Sequence, residues 1–167
     1  MKKAISAIIF FLLVLVFSTS VSGQKADFSG TWKIDRSKIP VTGNFPVLVQ
    51  ININIKGDSL LTERFYDTGD GQLYPFKENL TLDGKETSIT VYEMPRKAKA
   101  TWKEKDVILI HESTTTANGS NGPVDFLSTE TWSVDNVTNI LTISFKNFTM
   151  AGESTGYFLF NKSVEAN

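Results

Sequence analysis

Apolar and polar residues alternate along most of this chain, and this period of two constrains the fold more than any other feature. In the segment from Val49 to Lys56 every odd position is apolar and every even position is polar. Successive side chains of a β-strand point to opposite faces, so the pattern predicts strands with one buried face. No stretch beyond Gly23 shows a convincing helical period of 3.6. We therefore expect an all-β protein.

The alternation resolves into about ten predicted strands. They lie near 28–35, 47–56, 59–67, 73–82, 86–93, 97–104, 106–115, 125–134, 139–148 and 154–162. Gly57-Asp58 and Asp83-Gly84 are signals of two-residue hairpins, because these residue types tolerate positive φ. Further turns are predicted at Gly69 to Gly71, Met94-Pro95, Asn118 to Pro123, Asp135 to Asn139 and Ala151-Gly152. Short connections pair neighbouring strands and closure removes exposed edges, so we predict an up-and-down antiparallel β-barrel of about 8–10 strands.

Two longer connections interrupt the pattern. The segment from Arg36 to Pro46 contains Pro40 and Gly43, cannot hold a regular helix of any length, and is expected to cross one barrel mouth. The polar segment from Thr114 to Pro123 is the longest loop candidate. We expect it to lie at the barrel rim, where loops often carry recognition.

The first 23 residues have the composition of a secretory signal peptide. Lys2 and Lys3 precede an uncharged apolar run from Ala4 to Phe17, and small or polar residues follow as far as Gly23. The run is shorter than the roughly 20 residues that a helix needs to cross a bilayer, so we expect cleavage after Gly23 rather than a retained anchor. The predicted domains are a signal peptide, 1–23, and one β-barrel domain, 24–167.

Composition adds limits on location and partners. The chain contains no cysteine, which excludes disulfides, a thiolate nucleophile and a lipid-modified cysteine at the cleavage site. We therefore expect a periplasmic or secreted bacterial protein that is not a lipoprotein. The chain has 17 basic and 18 acidic residues, and the predicted leader removes two lysines, so nothing favours binding to nucleic acid or anionic membrane. We expect the mature chain to be a monomer without a transmembrane anchor.

The first predicted strand carries the segment Phe28-Ser-Gly30-Thr-Trp32-Lys-Ile34-Asp35. It resembles the Gly-x-Trp opening of the lipocalin and fatty-acid-binding protein group of calycin-like barrels, and bacterial secreted lipocalin-like domains in particular. The later segment from Thr129 to Val134 is similar to theirs as well. A tryptophan at this point can plug the closed end of a barrel, and an adjacent glycine permits the close backbone approach that the indole requires. The resemblance implies a lipocalin-like binding protein with Gly30 and Trp32 in a structural role.

Two departures limit this resemblance. In the animal fatty-acid-binding proteins two helices follow the first strand, and an Arg-x-Tyr pair near the last strand holds the ligand carboxylate. Here the corresponding connection is short and Pro-rich, and the segment from Gly156 to Phe160 contains no arginine. Both departures argue against fatty-acid recognition by that mechanism.

Glu130 is the candidate for orienting a ligand. It shares a strand face with Phe126 and Trp132, and a carboxylate inside an apolar barrel is costly unless it meets a cation or a ligand. The alternative is a filled barrel in which Glu130 pairs with a lysine or arginine. Glu63 and Arg64 alternate faces on one strand, so one of them also points inward. The predicted ligand-binding residues of the interior are Glu130, Trp132, Phe126, Trp102, Phe145 and Phe158.

His111 is the only histidine. It could ligate haem or act as a general base, or it is an ordinary strand residue with a hydrogen-bond partner. No nucleophile elbow, phosphate-binding loop, calcium loop or His-Glu-x-x-His segment is present. The sequence therefore predicts no catalytic residue, no cofactor and no metal site.

Three functions remain open at this point. The first is an exported, non-catalytic binding protein for a small hydrophobic or amphipathic ligand. The second is a filled barrel that binds another protein through its rim loops or outer surface, as an inhibitor or envelope accessory module. The third is an enzyme that uses His111 or Glu130 as acid or base on a ligand in the barrel.

Overall fold

The computed structural model describes residues 26–38, 47–104 and 107–163. The predicted signal peptide and residues 39–46 of the predicted mouth-crossing segment lie outside the described residues, so both remain predictions. Ten strands form the described part of the chain: β1 (Gly30–Ile34), β2 (Val47–Lys56), β3 (Ser59–Asp67), β4 (Leu73–Thr81), β5 (Thr87–Val91), β6 (Met94–Lys103), β7 (Ile108–Gly119), β8 (Gly122–Asp135), β9 (Ile140–Thr149) and β10 (Gly152–Lys162).

The strands form one antiparallel sheet in the order β4-β3-β2-β1-β10-β9-β8-β7-β6-β5. Strand β1 pairs with β10, with Trp32 opposite Lys162 and Ile34 opposite Phe160. Within the described residues β4 and β5 are the only consecutive strands without a ladder between them. The structure is thus a nearly closed up-and-down barrel, and the predicted fold class is confirmed.

The alternating pattern places apolar side chains inside the barrel and fills one of its ends. On β2, Ile51 and Ile53 are buried whereas Asn54 is exposed. Trp32 is fully buried in this core, and its Nε1 donates a hydrogen bond to the backbone oxygen of Phe28 at 2.7 Å. The other large apolar residues of the core are Leu60, Leu80, Leu109, Trp132, Leu141, Ile143 and Phe160. Their burial supplies the main apolar driving force for folding.

Gly30, next to this core, has a φ of 132°, a backbone conformation that favours glycine. A Cβ atom at this position would lie 2.9 Å from Cε of Lys162. A side chain at position 30 would therefore meet both backbone strain and the neighbouring strand.

The prediction of a long loop from Thr114 to Pro123 is wrong. Strand β7 continues to Gly119 and β8 starts at Gly122, which leaves only a two-residue turn between them. The β-branched threonines of this segment suit a strand, and Thr116 donates its hydroxyl to Asp125 across the ladder at 2.6 Å. The polar composition therefore marks exposed strands and not a loop.

Two predicted turns are also wrong, whereas the turn at Gly57-Asp58 is confirmed. Met94 and Pro95 belong to β6, and the turn lies at Tyr92 and Glu93, both with positive φ. Asp83-Gly84 does not close a hairpin, because β4 and β5 do not pair. The N–H of Gly84 instead donates to the backbone oxygen of Ala100 on β6.

Candidate functional site

Two arginines, two glutamates and one histidine of the described residues meet inside the barrel, and we call them the interior ion cluster. They are Arg64 on β3, Glu78 on β4, Arg96 on β6, His111 on β7 and Glu130 on β8. Each occupies a position of the strand alternation that faces the interior. The two guanidinium groups offset the charges of the two carboxylates, which is the condition for keeping charges in a largely apolar interior.

Arg64 and Glu130 form a two-pronged ion pair across the barrel. Nη1 and Nη2 of Arg64 donate to the two carboxylate oxygens of Glu130 at 2.8 and 2.9 Å. The indole Nε1 of Trp132 donates a further hydrogen bond to Glu130 at 2.8 Å. Burial alone would raise the pKa of the Glu130 carboxyl, but the charge of Arg64 outweighs it and lowers the pKa to about 2. Glu130 is therefore a carboxylate at neutral pH.

Glu78 is the second buried carboxylate and joins the remaining members of the cluster. Its oxygens lie 2.9 Å from Nε of Arg96, 3.1 Å from Nε2 of His111 and 3.7 Å from Nε of Arg64. Burial works to raise the pKa of Glu78, but the hydrogen bond from His111 and the two arginine charges hold it well below its usual range. Both carboxylates of the cluster are thus ionised.

Arg64 lies between the two carboxylates and is 1% exposed. Burial works to lower the pKa of its guanidinium, but the negative charge of Glu130 prevails and raises it well above the ordinary value. The guanidinium also stands 5.2 Å from the ring centre of Trp132. Arg64 is therefore a permanent buried cation.

His111 is fully buried between the two carboxylates. A carboxylate only accepts, so Nε2 of His111 donates the hydrogen bond to Glu78. Nδ1 lies 3.5 Å from an oxygen of Glu130 and has no hydrogen-bond partner within the described part of the chain. The ring stacks on Trp132 at a centroid distance of 5.9 Å.

A cavity of about 560 Å³ opens beside this cluster, at the end of the barrel that carries the β3–β4 and β5–β6 turns. It lies between the unpaired strands β4 and β5, and its walls are mostly aromatic and aliphatic. The lining residues are Tyr66, Thr68, Tyr74, Phe76, Val91, Tyr92, Met94, Arg96 and Thr115. We call this space the mouth cavity.

Arg96 connects the mouth cavity to the interior ion cluster. Its Nε donates to Glu78 and its Nη1 donates to the hydroxyl of Thr115 at 2.9 Å. Its guanidinium lies 5.2 Å from the ring centre of Phe76. The mouth cavity therefore has apolar walls and one polar end, formed by Arg96 and Thr115.

The structure brings some of the predicted binding residues together and separates others. Glu130 and Trp132 share the hydrogen bond described above, and Phe145 stacks on Phe158 at a centroid distance of 5.1 Å. Trp102 packs on Phe28 at 5.6 Å, beside a cleft of about 250 Å³ away from the mouth cavity. Phe126 lies opposite Thr115 on the neighbouring strand. None of the six predicted residues lines the mouth cavity, so their contact with a ligand remains a prediction.

Sequence reasoning missed Glu78 and Arg96, although the signal was available. Glu78 lies between Phe76 and Leu80 on one face of β4, and Arg96 lies between Met94 and Ala98 on one face of β6. The alternation of apolar and polar residues that indicated an inward-facing Glu130 also indicates that Glu78 and Arg96 face inward. Of the pair Glu63 and Arg64, the structure turns Arg64 inward, whereas Glu63 pairs with Lys77 on the outer surface.

The described residues contain neither a metal-binding cluster nor a membrane-spanning helix. Among these residues, no cluster of three or more histidine or carboxylate side chains is arranged to hold a metal ion. In the same ranges, no helix has both the length and the apolar character needed to span a membrane.

Comparison with known proteins gives no relative from which a function could be transferred. No protein-family model, curated protein or solved structure matches the chain.

Proposed function

We propose that this protein is a non-catalytic binding module that takes a small hydrophobic or amphipathic molecule into the mouth cavity. The observation that carries the proposal is an aromatic-walled space of about 560 Å³ directly above a buried, charge-balanced ion cluster. Ligand sites of proteins have volumes of roughly 300–1,000 Å³ and are mostly apolar with a few placed polar groups. The mouth cavity has this size and composition.

The walls of the cavity favour an apolar ligand body. Tyr66 stacks on Phe76 at a centroid distance of 6.2 Å, and Val91 and Met94 extend the apolar surface to the facing strands. Apolar surface that leaves water on binding contributes roughly 25 cal/mol per Å². The polar end at Arg96 and Thr115 gives an amphipathic molecule one preferred orientation.

The ion cluster supports a binding role over catalysis. A general acid or base needs a pKa near the working pH, whereas the arginines lower the pKa of both Glu130 and Glu78. The cluster stabilises the inner end of the cavity, where an unpaired charge would be costly.

Membership of the lipocalin-like group and export from the cell are parts of the same proposal. The ten-stranded antiparallel barrel and the Gly30-Thr-Trp32 segment on its first strand support the former. The composition of residues 1–23 supports the latter and a periplasmic or secreted location. A β-barrel alone does not define a ligand, since one fold hosts many functions.

The test is binding of N-phenyl-1-naphthylamine, a neutral apolar fluorophore, to protein purified from cells that express the full chain. We expect enhanced fluorescence and a complex of one probe per chain in native mass spectra. Val91→Trp should obstruct the cavity and weaken binding, because Val91 lines it. Thr90→Trp is the matched control, since the neighbouring Thr90 is exposed on the other face of β5. Absence of probe binding, or equal loss in both variants with folding intact, would refute the proposal.

A second candidate, protein binding at the rim, has one observation in its favour. Leu127 and Phe148 face each other on the outer surface, and Met150 lies in the following turn; all three are exposed. Exposed apolar residues that adjoin each other can mark an interaction surface. If a protein of the producing cell bound the unsubstituted chain and Val91→Trp but not Phe148→Ser, this candidate would replace the first.

A further inference from the structure

Four polar residues line up across four neighbouring strands inside the barrel, and we call them the polar row. They are Ser113 on β7, Ser128 on β8, Asn147 on β9 and Ser154 on β10. Each is directly opposite the next in the strand register. Directly opposite residues on one sheet face have Cβ atoms about 4.5–5.5 Å apart. The row is therefore a continuous polar strip.

The strand alternation shows that this strip faces the interior. Ser113 lies two residues from His111, and Ser128 lies two residues from Glu130, both members of the interior ion cluster. Asn147 lies two residues from Phe145, which stacks on Phe158 of β10. Side chains two residues apart on a strand share a face, so the row lies one step nearer the mouth than the ion cluster.

The hydrogen-bonding capacity of this row is unused by the protein. Ser113 is 6% exposed, and its buried Oγ has no partner within the described residues. In the same part of the chain, no side-chain hydrogen bond is formed by Ser128, Asn147 or Ser154. A buried polar group without a partner is destabilising, so the Ser113 hydroxyl is available to pair with water or with a hydroxyl of a ligand inside the barrel.

Three of the four residues of the row are accessible to solvent. Ser128 and Asn147 are half-buried and Ser154 is exposed although they lie on the interior face. Thr115, which lines the mouth cavity, is two residues from Ser113 on the same face of β7. The row thus begins beside the cavity and continues around the wall from β7 to β10.

We infer that the ligand carries a neutral polyhydroxyl group, bound by the polar row, on an apolar body that occupies the mouth cavity. Serine hydroxyls and the asparagine amide both donate and accept, as do ligand hydroxyls, whereas a carboxylate only accepts. A ligand charge would also lack a counter-charge, because the arginines of the ion cluster are already paired with Glu78 and Glu130. The inference rests on the proposed function and names its ligand class.

The test compares three compounds with one tail and different heads as competitors of the fluorophore, each below its micellar concentration. Octyl glucoside has a neutral polyol head, octanoate an anionic head and 1-octanol a single hydroxyl. We expect octyl glucoside to displace the probe at concentrations at least about tenfold lower than the other two, because several hydrogen bonds are added.

Asn147→Leu should raise the octyl glucoside concentration needed for displacement to that of 1-octanol, once each displacement is corrected for the affinity of that variant for the probe. Asn54→Leu is the matched control, because Asn54 is exposed on the outer face of β2. Equal displacement by the three compounds, or an unchanged glucoside preference in Asn147→Leu, would overturn the inference and leave the binding function standing. Failure of the probe itself to bind would overturn both.

Discussion

Arg64 is the residue on which the charges of the barrel interior depend. It holds Glu130 through two short hydrogen bonds and lies 3.7 Å from Glu78, while being almost inaccessible to water. Removing one partner of a buried ion pair leaves an uncompensated charge, which is far more destabilising than losing a surface pair. The interior should therefore tolerate joint replacement of the pair better than loss of the cation alone.

We predict that Arg64→Met lowers the free energy of unfolding by about 3–5 kcal/mol. Arg36→Met is the control and should have a much smaller effect, because the pair between Arg36 and Asp67 is exposed. Adding Glu130→Gln to Arg64→Met should recover part of the loss, since it removes the unpaired carboxylate. Urea denaturation of the variants measures all three effects, and strict additivity of the two substitutions would contradict the pairing.

The pH dependence of stability follows from the same pair. The pKa of Glu130 is lowered from 4.5 in the unfolded chain to about 2 in the folded protein. As the pH falls, Glu130 is therefore protonated in the unfolded chain before it is protonated in the folded protein, and this favours unfolding. The contribution of Glu130 is fully present above about pH 5 and is lost as the pH falls toward 2. We expect the unfolding free energy of Glu130→Gln to fall less steeply between pH 4.5 and 3 than that of the unsubstituted protein. Parallel curves in urea titrations at several pH values would rule out this role.

At the scale of single residues, the sequence showed which face a side chain occupies and that a lysine or arginine could pair with Glu130, but it did not show which residue this partner is. The alternation predicted that Glu130 points inward and that either Glu63 or Arg64 does too. It could not show that Arg64 on β3 meets Glu130 on β8, since that contact depends on how the closed barrel brings distant strands face to face. The partner of a buried charge is set by three-dimensional distance, which a period of two does not encode.

At the scale of elements, the turn between β5 and β6 lies two residues before its predicted position. Proline is a strong turn signal, and Met94-Pro95 was predicted as the turn, yet Pro95 lies in β6. Tyr92 and Glu93 make the turn instead, at φ values of 47° and 68° that these residue types rarely adopt. Tyr92 also donates its hydroxyl to the backbone oxygen of Pro75 across the gap between β4 and β5. Local turn chemistry was overridden there by the position of the strands.

We predict that Glu93→Gly stabilises the protein by about 1 kcal/mol, because glycine adopts this φ without steric strain. Glu93→Ala is the matched control: it removes the same carboxylate but keeps the Cβ atom, and should not stabilise. Thermal unfolding of the two variants distinguishes backbone relief from a charge effect. Equal shifts of the melting temperature in Glu93→Gly and Glu93→Ala would mean that loss of the carboxylate, and not relief of backbone strain, causes the change.

At the scale of the whole molecule the barrel has three levels. A packed apolar core around Trp32 fills one end, the interior ion cluster lies above it, and the mouth cavity occupies the other end beside the gap between β4 and β5. The fold class and most strand positions could be predicted because each strand carries its own alternation. The gap could not, because Asp83-Gly84 looks like a hairpin turn and only the closed sheet shows that β4 and β5 stay apart.

The unequal pairing of the strands predicts where the barrel opens first. Strands β7, β8 and β9 each have two ladder partners and contribute Leu109, Trp132 and Ile143 to the core, whereas β5 has five residues and pairs with β6 alone. Local opening requires the least free energy where buried apolar contacts and paired neighbours are fewest. Hydrogen exchange of the native protein, followed by mass spectrometry of peptides, should therefore be fastest in β5 and slowest at the centres of β7 to β9. Protection of β5 equal to that of β8, after correction for intrinsic exchange rates, would mean that β5 pairs with β4 in solution and that the cavity between them is closed.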